Sequence, residues 1–287
     1  MSPYRSRPGK DLRRGISDVG RSFVTLRCKP TEFRARNDMS SICIIGQGNV
    51  ATHLCVAFSC TDNEVIQVNS RTLEDLPTDA DAYIISVSDS AIAEVASRLP
   101  QGLRGVVAHT SGSTPADVLQ PYSGRYGVLY PLMTFSRDAD IDYSAIPFFT
   151  EGSDEPAAEV LSSLARELSE HVYPMDSAQR KKMHIASVFA CNFANHLWDI
   201  AYGLLKEEGV PFRHMMPLIE ATFRKLQYIT PRRGQTGPAV RGDRRVVESH
   251  IQALADRPEL AEIYRMLSES IASAATHPED SKETDSE

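Results

Sequence analysis

The sequence predicts an α/β chain, with a parallel sheet flanked by helices first and an all-helical region after it. Three observations predict this. Short β-branched apolar runs alternate with helix-period segments from Ser41 to about Pro174. A glycine-rich turn joins the first run directly to the first helix. After Asp176 the strand-like runs stop while helical periodicity continues. The 287 residues also suit about two domains, at roughly 150 residues each.

The elements follow in order. Ser41–Ile45 is a short apolar run ending at Gly46, as suits a strand buried on both faces. Asn49 to about Ser59 places Val50, Leu54, Ala57 and Phe58 on one helical face. Glu64–Val68 reads as the second strand, and only Thr72–Asp81 separates Arg71 from the third, Ala82–Val87. Asp89 is placed to cap a helix from Ser90 to Leu99. Strands are expected at Gly105–His109 and Tyr126–Tyr130, with a short helix near Pro115 to Leu119 between them. Further units follow at Ile146–Phe149, Glu155–Ser169 and His171–Pro174, and the alternation implies a parallel sheet. Helices then cover Ala178–Glu208, Pro211–Lys225, Asp243–Ala255 and Pro258–Ala275. Residues 39–176 and 177–275 thus form two domains.

The ends differ from the rest. Residues 1–38 carry a balance of +6 and the remainder −13, within a net charge of −7. Four acids argue against a transit peptide and no apolar stretch suggests secretion, so this segment reads as an over-extended start or a disordered tail before Met39. Residues 276–287 form a polar, acidic end expected to be disordered. A composition of 41% hydrophobic and 24% charged residues is that of a globular protein. No run approaches the roughly 18 apolar residues of a membrane span. The negative charge disfavours nucleic acid as a partner. Five cysteines without C-x-x-C spacing suggest reduced core thiols, no metal centre and a cytoplasmic location.

The strongest motif is Gly46-Gln47-Gly48-Asn49-Val50-Ala51, a G-x-G-x-x-A that ends a strand and opens a helix. Gly46 permits the tight turn, Gly48 lets backbone approach a pyrophosphate, and Ala51 permits close helix–strand packing. Unpaired N–H groups at the helix start favour an anion there, which makes Gly46, Gln47, Gly48, Asn49 and Val50 candidate dinucleotide contacts. An Asp or Glu about 20 residues later would bond the ribose 2′-hydroxyl of NAD. Instead the chain has Asn69-Ser70-Arg71-Thr72. A guanidinium with neighbouring hydroxyls suits a 2′-phosphate, so Ser70, Arg71 and Thr72 favour NADP over NAD.

Val87 and Ser88 end the third strand, and Thr110 and Ser111 follow the fourth. Open α/β sheets bind ligands at that edge, so the first pair is assigned to cofactor and the second to substrate. His109 is a structural or a catalytic imidazole. On the first helix of the second domain, His184, Ser187, Cys191 and Asn195 share a face at 100° per residue, with Asn192 nearby. Asparagine is costly to bury unpartnered, so Asn192 and Asn195 point to hydrogen bonds with a carbonyl, a neighbouring helix or a ligand. His184 is suited to proton transfer near neutral pH or to a supporting position. Arg241 lies in a Gly/Pro-rich loop and can meet an anion, while Asp243 can cap the next helix and converge with His250.

These motifs, with Tyr130-Pro131-Leu132-Met133-Thr134-Phe135, Asn192-Phe193-Ala194-Asn195 and Thr236–Asp243, resemble the bacterial family with a Rossmann-like domain followed by domain of unknown function 2520. More distantly, the chain is similar to pyrroline-5-carboxylate reductase and the 6-phosphogluconate and 3-hydroxyisobutyrate dehydrogenases. The resemblance implies a Rossmann-type domain followed by a helical domain like the C-terminal one of 6-phosphogluconate dehydrogenase, which dimerises and closes over the nicotinamide. It implies an NADP-dependent oxidoreductase, but no physiological substrate. Where the hydroxyisobutyrate enzyme uses Lys plus Asn, this chain offers Lys181 or Lys182 and Asn192 at another spacing. The expected activity is hydride transfer to or from a small carbonyl, imine or hydroxy acid in an interdomain cleft, with His184, Asn192 and Asn195 catalytic and Arg241 holding an anion. The alternative is a non-catalytic dinucleotide-binding regulator or scaffold.

Overall fold

The computed structural model describes residues 40–276. The expected extension at 1–38 and the tail beyond Thr276 lie outside the described residues. Backbone contacts divide the chain into two compact units that meet between Phe193 and Ala194.

The first unit is built on strands β1 (Ser41–Ile45), β2 (Glu64–Val68), β3 (Ala82–Ile85), β4 (Val106–His109), β5 (Tyr126–Pro131), β6 (Phe148–Gly152) and β7 (Val172–Pro174). Their order across the sheet is β2-β1-β3-β4-β5-β6-β7. The first five are mutually parallel. Helices α1 (Asn49–Ser59), α2 (Ile92–Ser97) and α3 (Glu155–Arg166) accompany them.

Two cores lie on opposite faces of the sheet, as the period of two along a strand requires. Ile42 and Ile44 of β1 pack with Leu54, Phe58 and Leu161 on one face. Cys43 and Ile45 pack with Tyr83, Ile85, Ile92 and Leu119 on the other. Both faces of β1, β3 and β4 are therefore buried, which is why these strands read as unbroken apolar runs.

The sheet is parallel as expected except at β6, which runs antiparallel to β5. Residues 132–147 between them hold only one 3-10 turn, Tyr143–Ala145, and a parallel return needs a crossover, usually a helix. Asp89 also departs from its expected role as a cap. It lies inside a 3-10 turn, Asp89–Ala91, ahead of α2, and neither terminus has a side-chain cap. Asp154 does cap α3, accepting from the Ala157 N–H at 2.8 Å.

Helix α4 (Ser177–Ser187) begins with a reciprocal capping box between Asp176 and Gln179. It continues through a π-helical turn, Val188–Phe193, into α5 (Ala194–Glu207), which opens the second unit. Helices α6 (Met216–Lys225), α7 (Pro231–Gly234), α8 (Arg244–Ala253) and α9 (Pro258–Thr276) complete it. Asp243 caps α8 as expected, accepting from the Val246 N–H at 3.3 Å. In α5 to α9 the only buried residue is Ala261, while Trp198, Leu218, Phe223 and Tyr228 are exposed.

The cysteines also depart from the expectation of reduced core thiols. Cys43 is buried and Cys55 half-buried, but Cys191 is exposed and Cys60 is disulfide-bonded. None of the described helices is long and apolar enough to cross a membrane.

Candidate functional site

A cavity of about 1070 Å³ follows the carboxyl ends of β1 to β5. Its position follows from connectivity. The chain leaves β1 toward β2 on one side of it and returns to β3 on the other, so the loops after β1 and β3 part and leave a crevice, as in other open α/β sheets. The lining comprises Gln47–Val50 after β1, Asn69–Arg71 after β2, Ser86–Asp89 after β3, Thr110–Gly112 after β4, and Tyr130, Pro131, Met133 and Phe135 from β5 onward, with His184 of α4.

The two glycines of the turn do different things. Gly46 has φ +141, and a Cβ there would come within 2.1 Å of the Ser86 carbonyl oxygen, so packing against β3 excludes any side chain. A Cβ on Gly48 would meet nothing within 4 Å and would protrude into open space. Gly48 is the N-cap of α1 and places no side chain over the helix's first N–H groups. Those free amide dipoles beside an open surface form a cradle for an anion such as pyrophosphate. The Asn49 side-chain amide donates a hydrogen bond to the Phe135 carbonyl at 3.1 Å, which anchors it.

At the β2 end, the Asn69 side chain accepts from the Arg71 N–H at 2.9 Å and shapes the loop. Arg98 donates to the carbonyls of Ser70 and Arg71, at 3.1 and 2.5 Å. Arg71 and Arg98 thus bring two guanidinium groups to this end, beside the carboxylate of Glu94. Glu64 begins β2 and so lies at the opposite end of the strand from the cavity. Thr72 is outside the lining; its hydroxyl faces the Glu74 N–H at 3.4 Å.

At the β4 end the hydroxyls form a compact turn. Ser111 Oγ accepts from the N–H groups of Ser113 and Thr114 and donates to Thr114 Oγ1, and Thr110 Oγ1 donates to Ser86 Oγ. His109 is the structural imidazole of the two expected alternatives. It is fully buried, contacts the Pro115 carbonyl through Nε2 at 3.2 Å and accepts from the Ser111 N–H through Nδ1 at 3.1 Å. Burial lowers its pKa to about 4, against a smaller opposing effect of the Pro115 carbonyl. The ring is neutral at ordinary pH.

Sequence reasoning missed Arg180. Its side chain is fully buried, ion-paired with Glu151 of β6, and donates to the carbonyls of Ser111 at 3.2 Å and Thr114 at 2.7 Å. The buried guanidinium therefore clamps the β4 turn from below. The available signal was a basic residue on the inner face of a capped helix, which sequence alone does not separate from the solvated Lys181 and Lys182 beside it. Tyr130 was also missed: its hydroxyl lies 3.1 Å from Nδ1 of His184. The sequence places it at a strand end and in the Tyr130–Phe135 motif but gives it no role in the site.

Of the expected contacts, Gln47, Gly48, Asn49, Val50, Ser70, Arg71, Val87, Ser88, Thr110, Ser111 and His184 share this lining. Gly46 supports it from behind. Asn192 and Asn195 are exposed and outside the lining, so the burial cost that drew attention to them does not act in this chain. The π turn also alters their assumed alignment with His184. One extra residue in the helix rotates everything beyond it by about 100°. Arg241 is exposed in the second unit, and His250 bonds Tyr264 at 2.7 Å. Among the described residues no group of three His, Cys, Asp or Glu side chains is arranged to hold a metal.

Residues 146–271 match a family described as a domain of unknown function, DUF2520. In structure the chain is similar to a Bacteroides fragilis protein described as a "putative NADP oxidoreductase", at 39% identity and a TM-score of 0.77, covering 82% of this chain and 98% of that one. It shares its fold with a reductive aminase from Aspergillus terreus in complex with NADPH and ethyl-5-oxohexanoate, at 15% identity, coverage of 83% and 91%, and a TM-score of 0.55. An imine reductase of Streptomyces aurantiacus is similarly related, at 15% identity, coverage of 82% and 98%, and a TM-score of 0.57. No curated protein matches the sequence.

Proposed function

The chain belongs to the family of Rossmann-type proteins that carry the domain of unknown function DUF2520, and from that premise we propose that it is an NADP(H)-dependent oxidoreductase. It moves a hydride to or from a small carbonyl, imine or hydroxy-acid substrate. The observation that carries this reading is the cavity along the strand ends, with the bare amides at Gly48 between its two extremities. Phosphate belongs on those amides. The 2′-phosphate of the adenosine half then falls to Ser70, Arg71 and Thr72 after β2, where Arg98 adds a second positive charge. The reactive half falls at β4 and β5, where Val87 and Ser88 border the cofactor and Thr110 and Ser111 orient the substrate.

When bound, the nicotinamide supplies the hydride. The protein supplies orientation and a proton, the latter through His184. We extend the proposal to amide contacts from Asn192 and Asn195 and anion capture by Arg241, each to be tested by single substitution to alanine.

Cofactor fluorescence titration tests the core of the proposal. Saturable binding is expected for both dinucleotides, tighter for NADPH. Arg71→Ala should weaken NADPH at least ten-fold more than NADH; equal losses remove the 2′-phosphate role. If neither dinucleotide binds saturably, the proposal is wrong. We also propose a homodimer through the helical unit, because Trp198, Leu218, Phe223 and Tyr228 expose apolar surface that a second copy would cover. Sedimentation at micromolar concentration should give a dimer, and a monomer there refutes it.

A further inference from the structure

Tyr130 and His184 form a pair at the reactive end of the cavity that the assignments above leave without a joint role. Tyr130 is the penultimate residue of β5; it is buried and lines the cavity. Its ring stacks on Phe149 at 6.3 Å and meets the edge of His184 at 6.0 Å, which fixes the phenol from two sides. The hydroxyl and His184 Nδ1 are 3.1 Å apart. Gly112 makes this approach possible: a Cβ there would lie 2.6 Å from His184 Nδ1 and 2.8 Å from Tyr130 Cζ. The turn after β4 therefore has a bare backbone where the two rings meet, and both rings line the cavity. Arg71 and Arg98 occupy the opposite end, after β2.

We infer that Tyr130 is a catalytic acid that protonates the oxygen of a small carbonyl substrate, and that His184 resupplies its proton through Nδ1. This rests on the oxidoreductase reading and refines it. As the carbonyl carbon accepts the hydride supplied by reduced NADP, the C=O π pair moves onto oxygen. That oxygen takes the proton of Tyr130 Oη, and the imidazolium of His184 passes its Nδ1 proton to Tyr130. The products are an alcohol, a neutral Tyr130 and a neutral His184, which recovers its proton from solvent; the balance requires one hydride and one proton.

The surroundings favour a neutral phenol over a phenolate. Burial raises the Tyr130 pKa, and the Ser187 hydroxyl and the charge of Arg180 lower it by less, while Asp89 acts with burial. Arg180, Asp89, Ser187 and His184 are the polar and charged groups that face the phenol, from α4 and from the turn after β3. The phenol therefore keeps its proton until the substrate oxygen gains negative charge.

The test has two arms. In the first, the full chain without cofactor carries ¹³Cζ-tyrosine and ¹⁵N-histidine labels. The His184 Nδ1 resonance should carry the signature of a hydrogen bond to the Tyr130 hydroxyl, and Tyr130→Phe should abolish that signature. An Nδ1 resonance unchanged by Tyr130→Phe overturns the inference even if no substrate is ever found. In the second, Tyr130→Phe and His184→Gln should keep NADPH affinity within three-fold. NADPH oxidation with acetaldehyde, acetone and pyruvate as probes should fall at least 100-fold for Tyr130→Phe and about ten-fold for His184→Gln, in line with general acid catalysis. A Tyr130→Phe chain that reduces a probe at the parent rate overturns the inference and leaves the oxidoreductase reading standing. A parent chain that binds no NADPH overturns that reading instead. If the parent binds NADPH but reduces no probe, the first arm decides.

Discussion

Replacing Arg180 with methionine tests the clamp beneath the β4 turn. The side chain is 1% exposed and that of its partner Glu151 22% exposed, so water can replace only part of what is lost. The substitution strips Glu151 of its cation and leaves the Ser111 and Thr114 carbonyls without a buried donor. Breaking one side of a buried pair costs about 3–5 kcal/mol. At roughly 2–4 °C of Tm per kcal/mol for a domain of this size, the midpoint should fall by about 6–20 °C. The same argument predicts a rescue. In Arg180→Met/Glu151→Leu the stranded charge is gone, and much of the loss should return because the two effects are strongly non-additive. The Ser177 hydroxyl, which donates to Glu151 at 2.7 Å, must then find water, so the rescue stays partial. Urea unfolding of the parent, both single variants and the double variant measures the cycle. A loss under about 1 kcal/mol for Arg180→Met, or strictly additive losses, would refute the reasoning.

The two turn glycines should separate stability from binding. Gly46→Ala drives a Cβ into the Ser86 carbonyl at positive φ and should cost at least about 2 kcal/mol, read by urea unfolding. Gly48→Ala should leave stability within about 0.5 kcal/mol yet weaken NADPH at least ten-fold; unchanged affinity would remove the phosphate from that cradle. The pH dependence of stability should carry the mark of His109. Its folded pKa of about 4 lies below the 6.5 of the free imidazole, so the unfolded chain takes up the proton first and stability falls as pH drops from about 6.5 toward 4. By pH 5 this amounts to about 2 kcal/mol, and a His109→Gln chain should lack that part of the slope in paired unfolding curves at pH 7 and pH 5. Thiol reactivity should follow exposure. Burial pushes the Cys43 thiol up to about 12, so brief alkylation of the native chain should mark exposed Cys191 and spare Cys43 until urea is added; labelling of both at equal rates would contradict the packing of β1.

What could be read in advance followed from local rules, and what could not depended on groups distant in sequence. The strand ends were legible because a run such as Ile42–Ile45 must be buried on both faces, and the cofactor turn because a strand, two glycines and a helix start leave little conformational choice. The direction of β6 was not, since it depends on what the 16 residues from 132 to 147 fail to form. The helix face around His184 was misaligned because nothing in Val188–Phe193 announces a π turn, yet one inserted residue redirects every side chain after it. Arg180 and Tyr130 show the same limit at single residues. One reads as an ordinary charge on a helix and the other as an ordinary aromatic in a strand. Glu151 lies 29 residues from the first and His184 lies 54 from the second, and only the sheet order brings each pair together. The polar turn after β4 is held by both pairs: Arg180 binds its carbonyls, and one turn further along α4 His184 meets Tyr130 against Gly112. A turn held at several points can keep Thr110 and Ser111 fixed while ligands exchange, which is the rigidity that orientation of a small substrate requires.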